Sequence, residues 1–541
     1  MSSLPIWADP ACKNEHLFRD LSLTLLFIIY LPPSYLKGGT SMLKQHIMDV
    51  QNVTLTENGA LTYASTKSDV LNVFTLGGAI DKKVSEINLP KLILNAYASD
   101  PRLTLKVIFY LADIRQGQGR RDFFRDSLLT LAQHDKRLTE KLLPYIPEFG
   151  RWDYLYWFIG TALEKQALQV FSEEIKLSQL ENRSSLMYKW LASEGASSRE
   201  TRRNARKTQE FLHMTARQYR KFLVQGRNGI NESLVERQLS TKQWQDIRYE
   251  RVPSIAMSRY IKTFFKQDPK RFIDYLERVS RGETKINASV LYPSSIVHQY
   301  ATSCDSPEHK NALLQLWKAL PDYVAKDVRP LAVVDNSGSM TGSPIEIAAS
   351  LGIYLAERLT GPFKDCVVSF SRKAKLYDLS RFQTVFDKYD YILRNSIVEN
   401  TNLQSVFLLL LSVAMDHNVP NDEMPNRIII ISDMEFDTAT SSDYWEEDQN
   451  TTNLDAIRKL YEEAKYEFPQ IVFWNVSARH EQFPTVCDDN NVALVSGYSP
   501  AILKSALSSK DSLTPYGVML STVNTERYAF VDQIFDQLAH V

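Results

Sequence analysis

Cysteine is the first scarcity. Four residues in 541, at Cys12, Cys304, Cys366 and Cys487, include no C-x-x-C pair. No disulfide framework or thiolate zinc site can be assembled from them, and they read as reduced, buried thiols of a cytoplasmic protein. Glycine is also sparse, at 19 residues, beside 44% hydrophobic and 23% charged residues. That balance excludes fibrous and disordered chains and describes an ordinary globular one. An excess of either charge is missing too: 63 basic residues face 64 acidic ones, a formal net charge of −1. Nucleic acid could then be held only where charge is segregated locally. Long hydrophobic runs are absent. Leu21 to Leu31 is apolar but too short to cross a bilayer, and no basic segment or small-residue cleavage site flanks it, so no membrane partner is expected. No P-loop, zinc spacing or Ser/His/Asp order occurs. The nine histidines are scattered, and His213 reads as structural. The expectation is a protein without catalytic activity, since a two-metal nuclease needs a close cluster of carboxylates.

The length calls for two or more domains. Residues 1–41 look foreign to the rest. A buried helix or a weak signal segment could account for them. Translation from an upstream start is favoured, because Lys37-Gly38-Gly39 can be encoded by a purine-rich ribosome-binding stretch just before Met42. That origin implies a bacterial or phage gene. From Val53 the pattern turns densely helical, after a polar lead-in over residues 56–65. Leu89 to Ser99, Pro101 to Ile114, Arg120 to Gln133 and Leu138 to Ile146 are successive amphipathic helices with short connections. Repeated helix–turn–helix units without strand-like alternation predict an irregular α-solenoid of HEAT-like repeats over residues 42–325. After the linker Tyr323 to Asp327, strands alternate with helices over residues 326–510, which predicts a doubly wound sheet. Residues 511–541 return to helix and are expected to pack back on the solenoid.

Two basic stretches interrupt the helical half. Arg115, Arg120 and Arg121 surround Gly117-Gln118-Gly119 at a loop that feeds a helix N-terminus, an arrangement suited to phosphate. The alternative is a solvated connection. Between residues 199 and 221, Arg199, Arg202, Arg203, Arg206, Lys207, Arg217, Arg220 and Lys221 are opposed only by Glu200 and Glu210. Their three- and four-residue spacing aligns much of this charge along one side, with Phe211, Tyr219 and Phe222 interleaved. A basic stripe in a nearly neutral protein is a track for an RNA backbone. Its competitor is a solvated face over core aromatics.

The most informative stretch runs from Pro330 to Met340. Leu331 to Val334 is a strand apolar on both faces; Asp335-Asn336-Ser337-Gly338-Ser339 is an oxygen-rich turn, and an amphipathic helix follows from Pro344. Asp335, Ser337 and Ser339 therefore leave the carboxyl end of a strand, where open α/β sheets bind ligands. One carboxylate and two hydroxyls suit a hard cation such as magnesium or another divalent ion. Two later pieces join them: Thr401 opens a helix, and Asp433 ends the strand Arg427-Ile-Ile-Ile-Ile-Ser. In this order the five residues resemble the metal-ion-dependent adhesion site of von Willebrand factor A domains. The resemblance implies direct ligation by Ser337, Ser339 and Thr401, with Asp335 and Asp433 ligating directly or through water, and an open position for an acidic group of a partner. Asp437, Asp443, Glu446, Glu447 and Asp448 follow as an acidic insertion, read as a polar surface loop.

An irregular helical module followed by such a domain resembles the TROVE-type Ro ribonucleoproteins. The nearer likeness is to an uncharacterised branch of that superfamily. It is carried by Thr56-Glu-Asn-Gly-Ala, Leu105-Lys-Val-Ile-Phe-Tyr-Leu-Ala-Asp-Ile-Arg, Gly119-Arg-Arg, Tyr219-Arg-Lys, Ile431-Ser-Asp-Met-Glu-Phe-Asp and Glu526-Arg-Tyr. In that family the repeats close into a ring, and small structured or misfolded RNAs bind the basic outer surface and the hole. The resemblance implies a monomeric ribonucleoprotein scaffold that binds a small non-coding RNA. A protein-interaction scaffold that uses the metal site without RNA is the alternative.

Overall fold

The fold is organised by a run of four isoleucines. Ile428 to Ile431 are all fully buried and lie in one strand whose alternate side chains enter different cores. Ile429 and Ile431 join the first core; Ile428 and Ile430 join the second. Only a strand covered by helices on both sides can be apolar at every position, and each such side chain contributes roughly 1.5–3 kcal/mol through burial.

A computed structural model describes residues 52–228, 230, 235–370, 374–395, 403–436, 453–508 and 513–539. The expected extension of residues 1–41, with Leu21 to Leu31, lies outside them, as do Thr401 and the acidic insertion from Asp437 to Asp448. The described chain opens with a hairpin, β1 (Val53–Leu55) and β2 (Leu61–Tyr63), paired antiparallel. The helices α1 (Asp69–Gly77), α2 (Leu89–Ser99), α3 (Pro101–Ala112), α4 (Arg121–His134) and α5 (Lys136–Leu142) pack on their sequence neighbours. Then come α6 (Glu164–Leu180), α7 (Arg199–Phe211), α8 (Ala216–Asn228), α9 (Val235–Ser240), α10 (Ser254–Gln267), α11 (Pro269–Ser280), α12 (Pro293–Ser303) and α13 (Pro307–Lys318). Their starts are written in the sequence. Ser68, Asn88, Asp100, Asp135, Ser198 and Ser306 each accept a hydrogen bond from a first-turn N–H of the helix they precede.

The second half forms one six-stranded sheet in the order β5–β4–β3–β6–β7–β8. Its strands are β3 (Pro330–Asp335), β4 (Cys366–Phe370), β5 (Lys375–Asp378), β6 (Arg427–Ser432), β7 (Gln470–Asn475) and β8 (Val492–Ser496). All neighbours are parallel except the β4–β5 edge pair. The helices α14 (Ser343–Ala356) and α15 (Val385–Arg394) contribute to the first core, and α16 (Leu403–Asp416) to the second. The helix α17 (Asn453–Glu463) follows β6, and α18 (Pro500–Ala506) follows β8. The closing helices α19 (Pro515–Val523) and α20 (Phe530–Ala539) turn back onto α1, α3 and α5. Phe530 packs among Phe109, Tyr145 and Phe149, while Arg527 pairs with the fully buried Asp113 at 2.9 Å. No helix among the described residues is long and apolar enough to cross a membrane.

Helical module and sheet share one core. The first core runs without a break from α1 through α14 to Trp474 and Val495. Polar contacts fix the same junction: Gly78 N–H donates to Ser496 Oγ (3.2 Å), and Gln118 Nε2 donates to Ser496 O (2.9 Å). Two sequence expectations are corrected. The segment after Val53 begins as a hairpin, not as helix, because Asn58-Gly59 supplies the left-handed turn (Gly59 φ 87°) that a tight connection requires. Of the described cysteines only Cys366 is buried; Cys304 and Cys487 are half-exposed, on loops beside the core.

Candidate metal face and basic face

At the carboxyl ends of β3 and β6 the adjacent strands deliver two carboxylates to one place. Asp335 and Asp433 are each 2% exposed. Asp335 is held from two sides: Oδ1 accepts from Ser337 N–H (2.9 Å), and Oδ2 accepts from Ser432 Oγ (2.6 Å). Ser337 Oγ and Ser339 Oγ lie 3.0 Å apart, half-exposed in the turn. Burial, with the Asp335 charge beside it, pushes the Asp433 carboxyl up to about 6; the Ser339 hydroxyl tempers the rise.

Asp433 Oδ2 is buried with no hydrogen-bond partner. A buried acceptor in that condition has room for a partner such as water or an ion. Two carboxylates and two hydroxyls converging at the carboxyl end of the central strands form a hard-oxygen donor set, so Asp335, Ser337, Ser339 and Asp433 fit a divalent cation. Thr401, the remaining ligand implied by the resemblance, lies outside the described residues.

One cation of the chain itself reaches this place. Arg479, in the loop after β7, puts Nε 3.8 Å from Asp433 Oδ2, too far for a hydrogen bond, and Nε is likewise buried and unsatisfied. Its Nη2 donates to Ser339 O (2.8 Å), and its Nη1 pairs with Glu57 (3.2 Å) at the hairpin tip. Met434 takes a left-handed backbone (φ 67°) and so turns Glu435 toward the hairpin. The buried Glu435 carboxylate accepts from Glu57 N–H (2.8 Å) and meets His480 Nδ1 (2.8 Å); Thr56 Oγ1 donates to Phe436 O (2.6 Å). Glu57, Glu435 and His480 converge within 4.8 Å, but every one is already paired, and they form a latch between hairpin and sheet. No local pattern announces this latch beyond Glu435 lying two residues past Asp433.

The basic residues divide into those the fold uses and those it leaves free. Arg115 and Arg120 are used: Arg115 donates to Glu148 O, and Arg120 donates to Ile80 O and to Tyr498 Oη (3.2 Å). Arg121 lies over the Tyr154 ring. The glycine loop between them is a joint that locks the helices to β8. On α7, Arg202 Nη1 donates to Ala196 O and Ser197 O, both at 2.7 Å, and Lys207 pairs with Glu164 at 3.2 Å. Arg220 faces Glu194 at 3.8 Å. Arg203 is exposed, with its guanidinium close to Gly160. Arg199, Arg206, Arg217 and Lys221 are exposed. Among the described residues they make no ion pair. Tyr219 is fully buried and donates to Ala192 O (2.9 Å), and Phe211 and Phe222 pack against the core. Tyr219 therefore belongs to the core, while Phe211 and Phe222 pack against it and stay partly exposed.

Comparison with known proteins places this architecture beside families described as domains of unknown function. DUF2828 matches residues 56–143 and 181–326, and DUF7788 matches residues 329–526. The chain is also 24% identical over 513 residues to "Uncharacterized protein L728" of Acanthamoeba polyphaga mimivirus, with 87% of each chain covered. The two matched regions meet at the linker ahead of β3.

Proposed function

We propose that this protein is a non-enzymatic, Ro-like RNA-binding scaffold of the cytoplasm, monomeric, in which the helical module is a HEAT-like repeat array and the sheet half is a von Willebrand factor A-like domain. The observation that carries the RNA reading is the face of α7 and α8: four exposed cations, Arg199, Arg206, Arg217 and Lys221, have no anionic partner among the described residues. Exposed, unpaired cations on two successive helices of a protein with net charge −1 create a local field that phosphates relieve, with release of their counterions. A small structured or misfolded RNA is the expected ligand. The test is to sequence nucleic acid recovered with the protein from its own cells, beside a variant with Arg199, Arg206, Arg217 and Lys221 changed to Glu. Loss of a defined small RNA in the variant supports the reading. Equal recovery from both removes this face from consideration.

A second reading is favoured by the unsatisfied Asp433 Oδ2. Asp335, Ser337, Ser339 and Asp433 would hold Mg or another divalent cation, whose Lewis acidity supplies a docking point for a partner's carboxylate. In that case the chain is a protein-interaction scaffold. Asp335→Ala then abolishes partner capture while no RNA accompanies the protein.

A further inference from the structure

A cavity of about 880 Å³ opens in the helical module where α9, the loop after it and the start of α11 meet. It lies on different elements from the basic face of α7 and α8. Its volume is within the range of small-ligand sites, but its lining is unlike that of an apolar pocket. Arg237, Arg248, Arg251 and Arg271 line it, with Asp246 as the one carboxylate in the lining. Asp268 pairs with Arg271, so among the described lining residues Arg237, Arg248 and Arg251 against Asp246 leave a surplus of two positive charges around one space.

The four arginines are not equivalent. Arg271 is built into the wall: Nη1 donates to Trp244 O and to Asp268, and Nη2 donates to Ile247 O, all at 2.8 Å. Tyr249 Oη donates to the same Asp268 carboxylate (2.9 Å), so the short turns that carry Arg248 and Arg251 are tied to α11. The side chains of Arg237, Arg248 and Arg251 make no hydrogen bond or ion pair among the described residues. A rigid wall thus presents three uncommitted guanidinium groups to one cavity. Their mutual repulsion is a standing cost that an anion with several closely spaced charges removes. Guanidinium forks match phosphate oxygens two at a time, and Gln238, Gln243 and Gln245 add neutral amides around them. Apolar lining is confined to Val235 and Ile247, so the cavity selects for charge and not for a base or an acyl chain.

We infer that this cavity binds a polyphosphate group, carried either by a free nucleoside triphosphate or by the 5′ end of an RNA. The inference goes beyond the proposed scaffold and does not depend on its basic face or its metal site. Titration calorimetry in EDTA tests it on the full chain with four probes: inorganic tripolyphosphate, ATP, a 5′-triphosphorylated oligoribonucleotide, and the same oligonucleotide with a 5′ hydroxyl. Tripolyphosphate is expected to bind, and Arg248→Gln/Arg251→Gln to weaken it by at least about tenfold, as befits the loss of two charge-assisted contacts. Both residues are exposed and unpaired, so the variant should melt at the wild-type temperature. Arg199→Glu/Arg206→Glu should leave tripolyphosphate binding unchanged. ATP binding as tightly as tripolyphosphate identifies a free nucleotide as the source. A triphosphorylated oligonucleotide binding more tightly than either identifies an RNA end. No binding of tripolyphosphate overturns the inference. So does binding that Arg248→Gln/Arg251→Gln leaves intact, whereas equal binding of the hydroxyl and triphosphate oligonucleotides beside tight ATP binding assigns the cavity to free nucleotide.

Discussion

A divalent cation bound as proposed would compete with Arg479 for the same buried charge, and replacing Arg479 by Gln tests that competition. The guanidinium Nε lies 3.8 Å from Asp433 Oδ2. At an effective dielectric of about 20, two unit charges at that distance interact by roughly 4 kcal/mol. Screening and the second pairing of Arg479 with Glu57 leave roughly 1.5–3 kcal/mol that a cation has to displace. Arg479→Gln is therefore expected to tighten Mg binding by about 10- to 100-fold. The assay is calorimetric titration of Mg at constant ionic strength, with Asp335→Ala as the blank. A second readout has the opposite sign. In EDTA the variant melts below wild type, because Asp433 has lost its only nearby positive charge among the described residues, and saturating Mg recovers the loss. Mg binding that Asp335→Ala abolishes but Arg479→Gln leaves equal or weaker would refute the competition. It would make Arg479 a support of the site.

The buried carboxylates also predict a pH dependence. The Asp433 carboxyl rises from 3.8 to about 6, so between those values the native state holds a proton that the unfolded chain has released. Stability of the metal-free protein should then fall as pH climbs through that window, by at most roughly 3 kcal/mol, and Asp433→Asn should flatten the slope in urea titrations. Mg should bind progressively more weakly below pH 6, a trend that calorimetry across the window would read directly. At the junction with the C-terminal helices, Arg527→Ala strands the fully buried Asp113 carboxylate. A loss of about 3 kcal/mol is expected, seen as a lower urea midpoint with an unchanged slope. Gly497 has φ 86°, and a Cβ there would meet Gln118 Oε1 and approach Gly78 O to 2.8 Å. Gly497→Ala should cost at least about 2 kcal/mol and open the junction to proteolysis.

What could be read in the sequence was what local chemistry decides. Leu331 to Val334 and Ile428 to Ile431 declare themselves as strands because a strand buried on both faces is the one place four consecutive apolar residues are needed. The caps at Ser68, Asp100 and Ser306 mark helix starts because the orphan N–H groups there require an acceptor. That Asp335 and Asp433 each end such a strand was legible for the same reason; that they share one site was implied only by the resemblance, because the pairing of β3 with β6 is not written locally. What could not be read depends on contacts between residues far apart in the chain. Arg115 and Arg120 have the composition of a phosphate loop, yet their donors are taken by Glu148, Ile80 and Tyr498, and no local pattern announces those partners. Tyr219 sits among arginines like a stacking residue, yet Ala192 O accepts its hydroxyl inside the core. The same rule separates the basic face from the arginine cavity. A charge in the sequence becomes available for a ligand only if the fold leaves it without a partner, and the fold spends Arg115, Arg120, Arg202 and Arg271 on its own carbonyls while leaving Arg206, Lys221, Arg248 and Arg251 unspent.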